Sequence, residues 1–251
     1  MRSKPMAKRP PPGRCVHCLG DFESLTWDHV LPVSWYPDTT PANLEKWKFP
    51  SCEPCNHRFS IIEQDLLIRF GICLTPGDLK SAGIPEKALR STKPEFANDE
   101  KDRQARMSLR KKILSETTRH TVPPLEGVFP GFGPQPGVHY PEYITVPLPQ
   151  ASIKCLSEKI LRGVSWKMDG NFITPNYEIT TSILHDKDAW EVYGPMQGAG
   201  SILDLGPGFQ IWRATVPENP IVSAVGVQIW GRVKLYSIVS LPESPAIPST
   251  P

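Results

Sequence analysis

The sequence predicts an α+β protein, with a small ββα core at the N-terminus, helices after it, and a small α+β domain with an antiparallel sheet at the C-terminus. Two Cys-x-x-Cys motifs, Cys15 with Cys18 and Cys52 with Cys55, frame the N-terminal core. Between 122 and 149 the chain is rich in proline and glycine, which break helices and strand ladders. Beyond that segment, one helical pattern is followed by several runs typical of strands.

The four cysteines form the pattern of a zinc site. Each Cys-x-x-Cys is a tight turn that directs two sulfurs at one point, and two such turns supply the four thiolates of a tetrahedral structural zinc. Disulfides are the alternative, but residues 1–14 hold charges and prolines rather than the apolar run of a secretory signal. We therefore expect reduced thiols and a cytoplasmic protein. His17, inside the first turn, is expected beside the metal shell or at the surface.

Two further cysteines, Cys73 and Cys155, stand alone in apolar stretches and are expected to be buried free thiols. The chain has 251 residues, 39% of them hydrophobic, which is enough for one large core or two small ones. No stretch approaches the length of a membrane span, so no membrane partner is expected. The net charge of +2 says little about partners, so their prediction depends on where the charges lie.

Changes in composition divide the chain into six segments. They are a disordered basic arm at 1–14, the core at 15–73, a helical basic extension at 74–120, a Pro/Gly-rich linker at 121–149, an α+β domain at 150–241 and a disordered tail at 242–251. In the extension, Asp78 is expected to cap a short helix, and Asn98-Asp99-Glu100 is expected to begin a longer helix that runs to about Leu114.

In the C-terminal domain, apolar residues at helical spacing predict a helix over 152–164. Runs rich in β-branched and aromatic residues predict strands over 177–184, 209–216 and 225–236, the last one long or bent with a bulge at Gly231. Four tryptophans of this region have two interpretations, core packing, which aromatic burial favours, or a pocket that reads a base. They are Trp166, Trp190, Trp212 and Trp230.

The residues between and just after the cysteine pairs carry the candidate chemistry. Asp28 and His29 have strand-forming neighbours. Because adjacent strand residues point to opposite faces, Asp28 and His29 either need a local distortion to serve one site or serve it from different sides. Asn56 opens an amphipathic helix that is predicted to run to Phe70, with Gly71 as its stop.

These residues resemble the HNH endonuclease family, of the ββα-metal type with added zinc knuckles. The matching pieces cover about residues 14–70 and are the two cysteine knuckles, Asp28-His29-Val30-x-Pro32, Asn43-Leu44, and Asn56 directly after Cys55. The resemblance implies that His29 is the general base and that Asn43 orients it. It also implies that Asp28 and Asn56 hold a catalytic divalent cation, Mg²⁺ or Mn²⁺.

The chain departs from the family pattern at two positions. Asn43 precedes Cys52 by a longer stretch than usual, and the last motif position is Asn56 rather than a histidine. Because His57 follows directly, it is the alternative metal ligand. Glu63 lies two helical turns after Asn56, on nearly the same face. It is expected either to orient His29 or a metal-bound water, or to be a surface carboxylate.

Hydrolysis of a phosphodiester needs the groups that this resemblance assigns. A neutral imidazole accepts the proton of a water near pH 7, and a hard cation neutralises the phosphoryl oxygens and the leaving 3′-oxyanion. Zinc held by four thiolates is a closed structural shell and does not do this chemistry. The sequence therefore predicts a DNA endonuclease of bacterial or phage origin, with RNA as the alternative substrate and a homodimer as the alternative to a monomer. The competing hypothesis is a non-catalytic zinc module that binds nucleic acid or protein.

Basic residues outside the core are expected to hold the DNA. The arm carries five basic residues and no acid, namely Arg2, Lys4, Lys8, Arg9 and Arg14. Arg103, Arg106 and Arg110 fall on one helix face, and Lys111 and Lys112 follow them. Such a row contacts successive phosphates without reading sequence. The alternative interpretation is a solvated helix face.

Overall fold

The computed structural model describes residues 8–123, 128–134 and 137–242. The first part of the expected arm, including Arg2 and Lys4, and the expected tail beyond Pro242 lie outside the described residues. Within the described residues the protein is α+β, as predicted, with α-helices and antiparallel sheets. No helix of that part combines the length and the apolarity that crossing a bilayer requires.

The N-terminal region consists of two hairpins and a long helix. They are β1 (Gly13–Arg14) with β2 (Asp21–Phe22), β3 (Thr26–His29) with β4 (Lys48–Ser51), and α1 (Glu53–Gly71). The expected arm is therefore too long by two residues, because Gly13 and Arg14 pair with β2. Helix α1 begins at a Pro-containing first turn, where a missing amide donor is harmless. At its other end Gly71 is needed for packing, since a Cβ there would overlap Ala88.

The middle region is helical where the sequence predicts helices. It contains α2 (Ile84–Ser91), α3 (Glu100–Glu116), and a short pair of strands, β5 (Thr118–His120) with β6 (Tyr143–Thr145). The Asp99 side chain accepts a hydrogen bond from Asp102 N and so caps α3. Asp78 caps a short 3-10 turn in the same way. The expected linker is thus partly structured, because β6 lies inside it.

The C-terminal region is a five-stranded antiparallel sheet with one long helix packed on it. The elements are α4 (Gln150–Asp169), β7 (Glu178–Ser182), α5 (Asp186–Tyr193), β8 (Gly200–Asp204), β9 (Gln210–Val216), β10 (Asn219–Ile229) and β11 (Val233–Ser240). The strand order in the sheet is β7-β11-β10-β9-β8. Alternate residues of β10 and β11 are buried against α4, as expected for a sheet with one covered face.

The prediction of one long strand over 225–236 is wrong. The chain turns back at Trp230 and Gly231, whose φ angles of 53° and 68° both lie in the left-handed region. Two consecutive residues of this kind make the turn that matches the twist of a hairpin. A tryptophan is held in this conformation because its ring is fully buried and its Nε1 donates to Trp35 O at 2.7 Å. The alternation of apolar residues continues across the turn, from Val227 and Ile229 to Val233 and Leu235, and so hides it.

One hydrophobic cluster joins the N-terminal and C-terminal regions within the described residues. Trp35 and Phe49 of the first region pack in the same core as Ile160 of α4 and Trp230 of the sheet. A Cβ at Gly163 would overlap the Phe49 ring, so the glycine lets α4 lie directly on β4. The expected linker adds two rings to this core, Phe129 and Phe132, whose centroids lie 5.3 Å and 5.9 Å from that of Phe70.

Candidate metal centre and neighbouring buried charges

Four cysteine sulfurs converge at the base of the hairpins. The Sγ atoms of Cys15, Cys18, Cys52 and Cys55 all lie within 4.8 Å of one another, and none of these cysteines forms a disulfide. The first pair sits in the β1–β2 turn, where Leu19 takes a left-handed φ of 63° and its N donates to Cys15 O. The second pair sits at the N-terminus of α1, with Cys52 as the N-cap. The sequence prediction of a four-cysteine cluster is confirmed.

The electrostatics of the cluster fit a bound structural metal such as zinc. Burial raises the pKa of Cys15, but hydrogen bonds from backbone N–H groups, that of Cys52 above all, bring it down to about 7. Burial and the neighbouring sulfurs raise the pKa of Cys55. Four thiolates this close repel one another unless a cation neutralises them, and a tetrahedral zinc does so with thiolate ligands.

A second buried cluster is built on Asp28 of β3. Only 5% of the Asp28 surface is exposed. Its Oδ1 accepts a hydrogen bond from Lys159 Nζ at 2.8 Å and from His29 N at 2.7 Å, and its Oδ2 lies 3.4 Å from His17 Nε2. Lys159 also binds the Glu63 carboxylate. The cluster therefore joins both hairpins, α1 and α4.

Lys159 is fully buried, with two aromatic rings beside its two carboxylate partners. Its Nζ lies 5.9 Å from the Phe49 ring centroid and 5.7 Å from that of Phe59, distances at which a cation is attracted to a ring face. Burial raises the pKa of Glu63 to about 7. Burial acts in the same direction on Asp28, but His17 and Lys159 outweigh it and hold the pKa of Asp28 below its usual value. Asp28 is the ionised partner of the lysine.

This arrangement does not fit a catalytic cation bound by Asp28 and Asn56. Both Asp28 oxygens have protein partners, and Asn56 Nδ2 donates to Thr26 Oγ1 at 2.9 Å. Within residues 8–123, 128–134 and 137–242, the four cysteines are the only group of three or more His, Cys, Asp or Glu side chains that could hold a metal. The His57 side chain is exposed at the surface of α1. The predicted Mg²⁺ or Mn²⁺ site therefore gains no support from the geometry.

His29 occupies the opposite face of β3 from Asp28, as strand alternation requires. It is half-buried and lies across from Lys48 of β4. Burial, together with the positive charge of Lys48, lowers the pKa of His29 to about 4, so the imidazole is neutral at physiological pH. Asn43 is exposed in the loop between β3 and β4, and within the described residues no hydrogen bond joins Asn43 to His29.

The basic residues of α3 are only partly available to an anion. Arg103 binds Glu100 at 2.7 Å, Arg106 binds Asp102 at 2.9 Å, and Lys112 binds Asp65 at 3.1 Å. Arg110 and Lys111 are exposed, and no ion pair within the described residues involves them. The predicted row on one face exists, but same-helix carboxylates compete with phosphate for two of its three guanidinium groups.

Sequence reasoning missed Lys159 and misjudged several exposures. The signal for Lys159 was its place on the apolar face of α4, between Leu156 and Gly163, where a lysine is buried only if it has a partner. Glu63 is a buried partner of that lysine, so neither expectation for it is met. The two single cysteines are not buried, because Cys73 is exposed and Cys155 is half-buried.

Comparison with protein-family models, with curated proteins and with solved structures finds no match to this chain.

Proposed function

We propose that the chain is an endonuclease of the HNH type that hydrolyses phosphodiester bonds of DNA, with His29 as the base that takes a proton from the attacking water. The observation that carries the proposal is the state of His29 on the hairpin–helix unit that the four cysteines hold together. Its imidazole is half-buried, neutral at physiological pH and flanked by Lys48. A neutral imidazole has a lone pair for the proton of water, although a pKa of about 4 makes it a weaker base than a free histidine, and the ammonium of Lys48 attracts a phosphate.

A divalent cation, Mg²⁺ or Mn²⁺, belongs to this proposal as the group that would neutralise charge on the phosphoryl oxygens. Asp28 is the residue implied as its ligand, yet in this structure Asp28 is ion-paired with Lys159. The role of His29 rests on its half-buried, neutral imidazole beside Lys48, and the EDTA control below tests the role of the cation. Asn43, exposed in the loop between β3 and β4, is the residue that the proposal assigns to orienting the base.

The experiment is nicking of supercoiled plasmid with Mg²⁺ or Mn²⁺, with an EDTA control in which zinc content is measured. His29→Ala should reduce cleavage by about a hundredfold or more, because the water loses its base. His57→Ala is the matched control, since it removes an exposed histidine from the same unit and should change cleavage little. If His29→Ala cuts as well as wild type, His29 is not the base. A parallel assay on single-stranded and structured RNA tests the alternative substrate.

A second candidate function is a zinc module that binds nucleic acid without cutting it. The ion pair between Asp28 and Lys159 favours it, because a buried lysine takes the place where a nuclease of this type needs a cation. This candidate predicts a protein that contains zinc, binds DNA with an affinity that falls with salt, and leaves plasmid uncut under every metal condition.

A further inference from the structure

The exposed face of the C-terminal sheet, opposite α4, carries two rows of side chains across its three central strands. The register of β9, β10 and β11 aligns residues directly across from one another, and alternate residues share a face. The first row is Trp212, Gly226 and Tyr236, and the second row is Gln210, Gln228 and Lys234. An aromatic row thus lies beside a row of two carboxamides and one ammonium.

Helix α5 lies over this face and leaves a cavity of about 290 Å³ beside it. The ring of Tyr193 of α5 stacks on that of Tyr236, with centroids 4.9 Å apart, and the rings of Tyr236 and Trp212 flank Gly226. Trp190, one turn earlier, borders the cavity and is 63% exposed. A large aromatic ring that is left open to solvent at the mouth of a cavity offers a flat surface for a planar ligand.

A second cavity of about 530 Å³ adjoins the first, since both are bordered by Asp186 and Lys234. Lys234 Nζ binds Asp186 Oδ1 at 2.6 Å along this shared border. The second cavity is also bordered by Lys80, Arg232 and Asp78, and Arg232 Nε lies 4.0 Å from Asp78 Oδ2. Its three permanent cations outnumber its two carboxylates, so an anion is favoured there.

We propose that the two cavities form one nucleotide-binding site, with the heteroaromatic base in the first and the phosphate in the second. Trp190 supplies an exposed ring on which any base can stack, beside the stacked pair of Tyr193 and Tyr236. Gln210 and Gln228 supply donors and acceptors in the plane of the base, which is how carboxamides recognise base edges. Arg232 and Lys80 supply the donors that a phosphate requires. The site lies in the sheet, away from His29 and the cysteines, so it goes beyond the proposed nuclease activity and does not depend on it.

The first test is calorimetric binding of AMP, GMP, CMP and TMP to the full chain, alongside the corresponding nucleosides. Trp190→Ala should weaken the binding of both nucleotides and nucleosides about tenfold, because the base loses the exposed ring on which it stacks. Arg232→Ala should lower the affinity for nucleotides toward that for nucleosides, and it should leave the affinity for nucleosides unchanged. Val192→Ala is the matched control, since Val192 is an exposed residue of the same helix outside the cavity lining. It should change neither.

A second arm distinguishes a free nucleotide from a base turned out of a strand. Single-stranded oligonucleotides, and duplexes with one unpaired base, are titrated under the same conditions without divalent cations. If they bind at least tenfold more tightly than the mononucleotides and Trp190→Ala removes that gain, the site takes a base from a strand. Equal affinity identifies a site for free nucleotides. The proposal is overturned if neither kind of ligand binds, or if Trp190→Ala and Arg232→Ala bind as wild type does. His29→Ala protein should bind normally, which separates this test from that of the nuclease.

Discussion

The four-cysteine cluster and the Asp28 cluster lie on the same hairpins and helix, yet their charge is neutralised in different ways. All four sulfurs come from residues 15–55, and in the described part of the chain their hydrogen-bond partners include no lysine or arginine. The carboxylates of Asp28 and Glu63 instead form ion pairs with Lys159 of α4, which lies 131 residues after Asp28 in the sequence. The first cluster could be neutralised by a bound metal ion, whereas the second is neutralised by a lysine of the protein itself.

The largest effect should follow from breaking the first cluster. Cys52→Ser is expected to release the metal and unfold the region around 15–70, because zinc binding contributes on the order of 10 kcal/mol to the folding of such small units. Elemental analysis should find about one zinc per chain in wild type and much less in the variant. Hydrogen exchange should show weaker protection in β3, β4 and the start of α1.

Cys73→Ser is the control for this experiment, since Cys73 is an exposed cysteine outside the cluster. It should keep both the zinc and the exchange pattern of wild type. A well-folded wild-type protein without any metal would show that the four sulfurs are not a zinc site.

The next effect tests the second cluster. Lys159→Met leaves Asp28 buried without its cation, which should lower the free energy of unfolding by about 3 kcal/mol. The loss stays near the lower end of the range for broken buried pairs because Glu63, with a pKa of about 7, can take up a proton. Urea unfolding measures the difference, and Lys154→Met, an exposed lysine of the same helix, should cost far less.

The same variant sharpens the contrast between the two clusters. With Lys159 replaced, Mn²⁺ should raise the melting temperature of the variant but hardly that of wild type, because only the variant offers free carboxylates. If Mn²⁺ stabilises both proteins equally, the lysine does not exclude a cation from Asp28.

A smaller effect concerns DNA affinity and compares paired with unpaired cations on α3. Replacing Arg110 and Lys111 by Ala should flatten the slope of log affinity against log salt by about two units, near 0.9 for each phosphate that the variant no longer neutralises. Replacing Arg103 and Arg106 should flatten it less, because Glu100 and Asp102 already hold them. Filter binding at several salt concentrations gives both slopes. Equal slopes in both variants and wild type would show that the basic face of α3 is solvated and does not contact DNA.

The smallest effect is the pH dependence that comes from His29. Its pKa is lowered from 6.5 to about 4 in the folded protein, so between these values the unfolded chain binds a proton that the folded chain does not. Stability contributed by neutral His29 is therefore present above pH 6.5 and decreases as the pH falls toward 4. His29→Gln should lose less stability than wild type between pH 7 and 5, measured by urea unfolding. Identical losses would place His29 in a solvated setting.

The parts of the structure that the sequence predicted are those encoded locally. The cysteine turns, the hairpin–helix unit and the helix that Asp99 caps each depend on residues close together in the chain, and these predictions are confirmed. Lys159 could not be assigned its role, because its partners lie far away in sequence. The turn at Trp230 was missed because tertiary contacts hold a bulky residue where turn chemistry would place asparagine or glycine.

The candidate site shows the same limit. Asp28, His29 and Asn56 lie on the elements that the sequence predicts, and His29 faces away from Asp28 as strand alternation requires. The spacing of these residues in the sequence could not show which of their side-chain atoms already have hydrogen-bond partners in the protein. The aromatic row beside α5 also escaped prediction in detail, since it exists only once three strands are in register. Of the two interpretations of the tryptophans, burial fits Trp230, while Trp190 stays exposed.

The distance in sequence between Asp28 and Lys159 has a consequence for the order in which a new chain can mature. When the hairpins and α1 leave the ribosome, α4 has not been made, and at about 5–20 residues per second it follows on the order of ten seconds later. During that interval the four cysteines can already bind zinc. Asp28, Glu63 and Phe49 remain exposed to solvent because α4 is not yet present. At this stage the N-terminal region is therefore most in need of chaperone protection. Proteolytic cleavage after α1 would separate a metal-loaded fragment from α4, the helix that covers it.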